Sequence, residues 1–100
     1  MTVSVIRLPD QPKAEITCSQ ITKLTEGEHF SCWCNAVGVN MVRTASWVKG
    51  GHLIGNASSP GTKLTLHNVS KDAAGTYVCR AQLYTLVDER TTEIIVYCKC

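Results

Sequence analysis

The chain has 100 residues, of which 44% are hydrophobic and 18% charged, with a formal charge of +2. That is enough apolar material for one packed core and argues against disorder. No apolar stretch approaches the ~20 residues of a bilayer span, and Lys and Arg form no run interleaved with aromatics, so direct membrane insertion and nucleic-acid binding are both disfavoured.

In chain order, turn signals recur every 8 to 12 residues or so and no helical period is sustained, which predicts an all-β fold with almost no helix. Val3 to Pro9 reads either as an early strand or as the last strand and linker of a preceding domain, so the expected division is residues 1–11 for that segment and 12–100 for the domain proper. Glu26-Gly27-Glu28 is a turn. After it, Phe30, Cys32, Cys34 and Ala36 alternate with Ser31, Trp33 and Asn35, which puts the first set towards a core. A polar stretch rich in Gly, Ser and Asn follows Trp47-Val48-Lys49-Gly50-Gly51 and runs up to Leu64-Thr65-Leu66. Tyr77 and Cys79 point inward by the period of two, and Val78, Arg80 and Gln82 outward. The last strand is expected from about Thr91 to Cys98, with Ile94, Val96 and Cys98 inward and Glu93, Ile95 and Tyr97 outward.

Asp72-Ala73-Ala74-Gly75-Thr76-Tyr77-Val78-Cys79, with Cys34 upstream and Trp47 between, resembles the immunoglobulin superfamily over roughly residues 12 to 98. Such domains join two sheets by a disulfide packed on a buried Trp, with a Tyr two residues before the second Cys closing a corner. The resemblance implies a Greek-key sandwich of two antiparallel sheets. It implies a Cys34–Cys79 bond and structural roles in the core for Trp47, Tyr77, Leu66 and Asp72. Cys34-Asn35-Ala36-Val37-Gly38 matches the usual end of the second strand. Trp47 lies at the family spacing from Cys34 rather than Cys32. The short connection before Leu64 leaves no room for the C′ and C″ pair of a variable domain, which implies the I-set or C2 type.

Six Cys suit a disulfide framework made in an oxidising compartment. With Cys34 and Cys79 joined, Cys18, Cys32, Cys98 and Cys100 allow three pairings. The one that needs Cys98 bonded to Cys100 is disfavoured, because two Cys one residue apart on extended chain rarely meet disulfide geometry. Of the others, Cys32–Cys98 with Cys18–Cys100 is preferred to Cys32–Cys100 with Cys18–Cys98, since Cys32 and Cys98 share inward parity at one end of the sandwich. Asn56-Ala57-Ser58 and Asn68-Val69-Ser70 are glycosylation sequons. Together these features predict an extracellular, cell-surface or secreted, setting.

A metal held by Cys32-Trp33-Cys34 and Cys98-Lys99-Cys100 would consume the Cys34 that the core needs. His29, His52 and His67 fall at a turn, in a loop and at a strand end, with no third group to orient a base. No phosphate loop or hydrolase carboxylate pair occurs. No enzyme activity, metal or cofactor is expected.

Function then rests on a surface. Tyr97, Ile95, Val78 and Arg80, with Glu93 and Val48, would face outward on one sheet, a mixture typical of interface cores. Leu86 and Val87 lie near a hairpin tip, where loops carry recognition. The resemblance implies adhesion or recognition through a protein partner, such as the same or a related immunoglobulin-like domain, with neighbouring domains in the parent chain. The alternative is a disulfide-stiffened spacer in a multi-domain receptor ectodomain.

Overall fold

A computed structural model describes residues 11–38 and 43–99. The segment read as an early strand or linker, Val3 to Pro9, and Cys100 lie outside the described residues. Eight strands follow in order: β1 (Lys13–Ile16), β2 (Ile21–Thr25), β3 (Phe30–Val37), β4 (Thr44–Lys49), β5 (His52–Ser58), β6 (Gly61–Leu66), β7 (Gly75–Leu83) and β8 (Leu86–Tyr97). Among the described residues the one helical piece set beside them is a 3₁₀ turn, Lys71–Ala73, capped by the Ser70 side chain. None of the described helical structure is long and apolar enough to cross a membrane.

The strands form two sheets, β1-β3-β6 and β2-β8-β7-β4-β5. The chain passes between the sheets at β1 to β2, β2 to β3, β3 to β4, β5 to β6 and β6 to β7, while β4–β5 and β7–β8 stay within the five-stranded sheet. The alternation read from β3 holds: Cys32, Cys34 and Ala36 are buried, while Ser31 and Trp33 are exposed. In β7, Tyr77, Cys79, Ala81 and Leu83 are buried. Trp47, Cys34, Cys79 and Ile94 belong to the core cluster, each at most 1% exposed. Ala14, Ala36, Ala45 and Ala81 are also buried there, and their small side chains let the facing sheets close over the large indole.

Several expectations are corrected. The Gly- and Ser-rich stretch after Lys49 is not only a connection: residues 52–58 of it pair with β4 as the edge strand β5, so His52 opens a strand rather than sitting in a loop. Backbone pairing with an existing edge needs little from the side chains, which is why polar composition did not prevent it. The five-stranded sheet is not wholly antiparallel, because β2 runs parallel to β8. β1 and β2 are one strand that breaks at 17–20 and changes sheets, which brings the chain alongside β8 in the same direction. The last strand starts at Leu86, earlier than Thr91, and Cys98 beyond its end is exposed rather than inward. Asp72 is exposed and outside the core, and Leu66 is only partly buried at the core margin.

The disulfide pairing also differs. Cys34 is bonded to Cys79, and Cys18 to Cys32. Neither Cys32–Cys98 nor Cys32–Cys100 forms, and Cys18 is taken by neither Cys98 nor Cys100. The reason is register: β1 and β3 pair antiparallel with Ile16 opposite Cys34, and two more residues along that ladder put Cys18 opposite Cys32, with Cα atoms 5.6 Å apart. Cys98 is itself disulfide-bonded. The Cys18 crossover is held further by Thr92, fully buried, whose hydroxyl donates to the Ser19 carbonyl at 2.6 Å.

Candidate recognition surface

Cross-strand register decides which outward residues are neighbours. On the outer face of the five-stranded sheet, Leu53, Val48, Val78 and Thr91 form one row across β5, β4, β7 and β8. Ser46, Arg80 and Glu89 form the next, and Arg80 Nε donates to Glu89 Oε2 at 2.9 Å. Towards the other end, Ile21 sits beside Glu93, Lys23 beside Ile95 and Thr25 beside Tyr97. Exposure on this face reaches 54% at Leu53, 55% at Ile21 and 49% at Tyr97. Val48, expected to be a surface contact, is only 9% exposed, flanked in its row by Leu53 and Val78. Val78 and Ile95 are half-buried.

The hairpin between β7 and β8 is tight. Leu83 pairs with Leu86, leaving Tyr84 and Thr85 as a two-residue turn. Tyr84 adopts φ 57° and is 76% exposed. A bulky residue in the left-handed region at a loop tip carries a conformational cost, and such positions concentrate at contact sites. Gln82 Nε2 supports the turn through the Tyr84 carbonyl at 3.0 Å.

The six residues singled out from sequence therefore do not make one patch. Leu86 shares a face with Leu83 and Asp88, whereas Val87 shares the opposite face with Gln82 and Arg80, by the alternation of paired strands. Val87 and Tyr97 lie ten residues apart on one strand, roughly 33 Å. Two centres result: the sheet face around Ile95, Tyr97 and Ile21, and the hairpin tip around Tyr84 and Val87. Sequence reading passed over Ile21 and Leu53, and placed Tyr84 in the hairpin segment 83–90 while singling out Leu86 and Val87 there. The period-two run Ile21-Thr22-Lys23-Leu24-Thr25 was the available signal for the first.

Other groups take structural places. Cys32 and Cys34 are in separate disulfides, which leaves neither thiolate for a metal, and no cluster of three ligand-type side chains occurs among the described residues. His29 and His67 meet edge to face with centroids 5.4 Å apart, and His29 Nδ1 accepts the Asn68 N–H. A groove of about 590 Å³ opens between β1 and β8, floored by Ala14 and Ile16 and rimmed by Glu89 and Arg90. At its neighbouring end Asp88 Oδ2 accepts the Ala14 N–H at 2.8 Å and bridges the two sheets.

At the corner before β7, Tyr77 Oη donates to the Ala73 carbonyl at 2.6 Å. With the Cys34–Cys79 bond and Trp47 paired beside Cys79, this assembles the sandwich signature, and a family model described as Immunoglobulin domain matches residues 13–82. The chain belongs to the immunoglobulin-domain family.

No curated protein matches the chain in sequence. Among solved structures, one of Dscam bearing on isoform specificity aligns with TM-score 0.70 and 26% identity, over 85% of this chain and 21% of that one. The N-terminal four Ig domains of Dscam1 isoform 9.44 align with TM-score 0.70 and 27% identity, over 85% and 20%. The chain thus spans only about a fifth of those structures' length. A complex of a titin domain with obscurin-like 1 aligns with TM-score 0.65 and 20% identity over 90% of each chain, a likeness of fold. In this immunoglobulin domain β2 pairs parallel with β8, and one strand, β5, lies in sequence between β4 and β6.

Proposed function

We propose that this immunoglobulin domain is an extracellular recognition module that binds a protein partner, the same or a related domain, at the surface of a cell. The observation that carries this reading is the outer face of the five-stranded sheet, where Ile21 and Tyr97, each about half exposed, flank Ile95 and Lys23. Apolar and aromatic side chains with a mixed-charge surround have the make-up of an interface core. The Cys18–Cys32 and Cys34–Cys79 bonds in so short a chain support an oxidising compartment. Likeness to Dscam domains studied for isoform specificity supports recognition rather than catalysis as the task. Asn56 and Asn68, both exposed, are the proposed glycan carriers, and neighbouring domains are expected in the parent.

The spacer reading draws on one observation, the Cys18–Cys32 bond, which stiffens the crossover between sheets. The two readings separate in one experiment. Sedimentation equilibrium of the secreted, glycosylated chain, from micromolar to millimolar concentration, is expected to show reversible association that Ile95→Lys or Tyr97→Asp abolishes. A monomer throughout, together with unchanged capture of cells by the parent ectodomain carrying Ile95→Lys, would refute recognition through this face and leave the spacer role.

A further inference from the structure

Each sheet ends in two edge strands, and an edge presents unpaired backbone N–H and C=O groups that template pairing with another chain. Here the edges are β1 and β6 in one sheet and β2 and β5 in the other. Three of them carry a fixed charge, which opposes edge-to-edge pairing: Lys13 and Glu15 on β1, Lys23 on β2 and Lys63 on β6. β5, His-Leu-Ile-Gly-Asn-Ala-Ser, has no Asp, Glu, Lys, Arg or Pro. It is also longer than β1, β2 or β6 and exposed at every position except Ile54. By composition it is the edge most open to association, and it is the edge that holds the Asn56-Ala57-Ser58 sequon.

The backbone favours a large group there. β4 and β5 are in register from Lys49↔His52 to Trp47↔Ile54, and the next pair is Ala45↔Ser58. Three residues, Gly55 to Ala57, therefore face the single residue Ser46, and Asn56 is the middle of this bulge. Gly55 turns it with φ 72°, and nothing lies within 4 Å of the space beside that glycine. The Asn56 side chain is exposed and makes no hydrogen bond among the described residues. Asn68 differs. Its backbone is in the left-handed region at φ 51°, its N–H donates to His29 Nδ1, and the N–H of the next residue, Val69, donates to the Glu28 carbonyl. That turn is stapled to the 26–29 turn and lies on no free edge.

We infer that Asn56 carries an N-linked glycan whose role is to guard the β5 edge, replacing the charge that the other three edges carry. A hydrated oligosaccharide rising from the bulge blocks approach along His52-Leu53-Ile54, the part of the edge still held in a regular ladder. It also confines partner binding to the β2–β8 side of the face, because Leu53 lies three residues, roughly 10 Å, from the glycan's root. The inference rests on the extracellular reading, since N-glycans are added only in the secretory route.

The test uses the full chain secreted from a eukaryotic host. Intact mass is expected to fall by one glycan in Asn56→Gln, and by the same amount in Ser58→Ala. In the Ile95→Lys background, which removes association through the recognition face, protein trimmed after folding with an endoglycosidase that leaves one sugar is expected to shift from monomer to twice the monomer mass at high concentration, as is Asn56→Gln in that background. Asn56→Lys, which lacks the glycan but restores a charge, does not form this edge dimer, and Asn68→Gln stays like the wild type. Trimming after folding keeps the result readable if an Asn56 variant is not secreted. An Asn56 without glycan, a trimmed chain that gains no association, or an Asn56→Lys that pairs through the edge would each overturn the edge-guard role. The edge dimer must persist in trimmed Ile95→Lys. If it does not, the association belongs to the recognition face and this inference fails while that reading stands. Loss of Ile95-dependent binding in the glycosylated chain would sink that reading and leave this one intact.

Discussion

Tyr77 and Ala73 are locked by a 2.6 Å hydrogen bond from the phenol to the carbonyl, and Lys49 Nζ sits on the same phenol oxygen at 3.2 Å and 4.8 Å from the ring centroid. The 3₁₀ turn is thereby tied to β4 and β7 at once, since Lys49 Nζ also donates to the Asp72 carbonyl at 2.9 Å. Asp72 thus enters the corner through its main chain while its side chain faces solvent.

Tyr77→Phe keeps the buried ring and removes only the hydroxyl. The Ala73 carbonyl loses its donor and Lys49 one acceptor, so a cost of about 1–2 kcal/mol is expected. Urea denaturation should show a lower midpoint with an unchanged slope.

Replacing Cys18 and Cys32 together with Ala opens a loop of 14 residues, against 45 for Cys34–Cys79. In the chain-entropy model these are worth about 3 and about 4 kcal/mol. The double variant should still fold and melt cooperatively at a lower temperature. Amide exchange should rise first at Ser19 to Leu24, where the crossover loses its anchor.

Gly61 lies opposite Asn35 in the β3–β6 ladder. A Cβ there would overlap Asn35 Oδ1 and stand 3.1 Å from the Cys34 carbonyl. Gly61→Ala is expected to destabilise by about 1–3 kcal/mol, the usual range for overpacking. Asn35→Ala in the same chain should recover most of that loss, because the amide is the flexible obstacle. A double-mutant cycle by chemical denaturation checks the coupling.

Glu89→Gln removes the partner of Arg80. Both side chains are more than 40% exposed, so solvent and salt screen the pair and less than about 1 kcal/mol is at stake. Thermal melts in low and high salt should nearly coincide for the variant and differ slightly for the wild type. A large loss would mean that the pair organises the face rather than decorating it.

What could be read in the chain was what depends on local pattern. The alternation in Phe30–Val37 and Gly75–Leu83 sorts side chains by a period of two, whatever the strands pair with, and so placed the core. The Cys34, Trp47, Tyr77 and Cys79 set identified the sandwich because those residues act on one another at nearly constant spacing.

Tertiary structure decided what depends on register and on which edge a strand meets. Cys18 bonds Cys32 because β1 and β3 fix that partnership, a fact no parity count at Cys98 contains. β5 exists because β4 offers it an edge, although Gly, Asn and Ser argue for a loop. Ile21, Ile95 and Tyr97 become one surface only through the parallel β2–β8 pair, while Leu86 and Val87, adjacent in the chain, part to opposite faces. Periodicity tells each strand which way its side chains point. Only backbone pairing between distant segments determines whose side chains they stand beside.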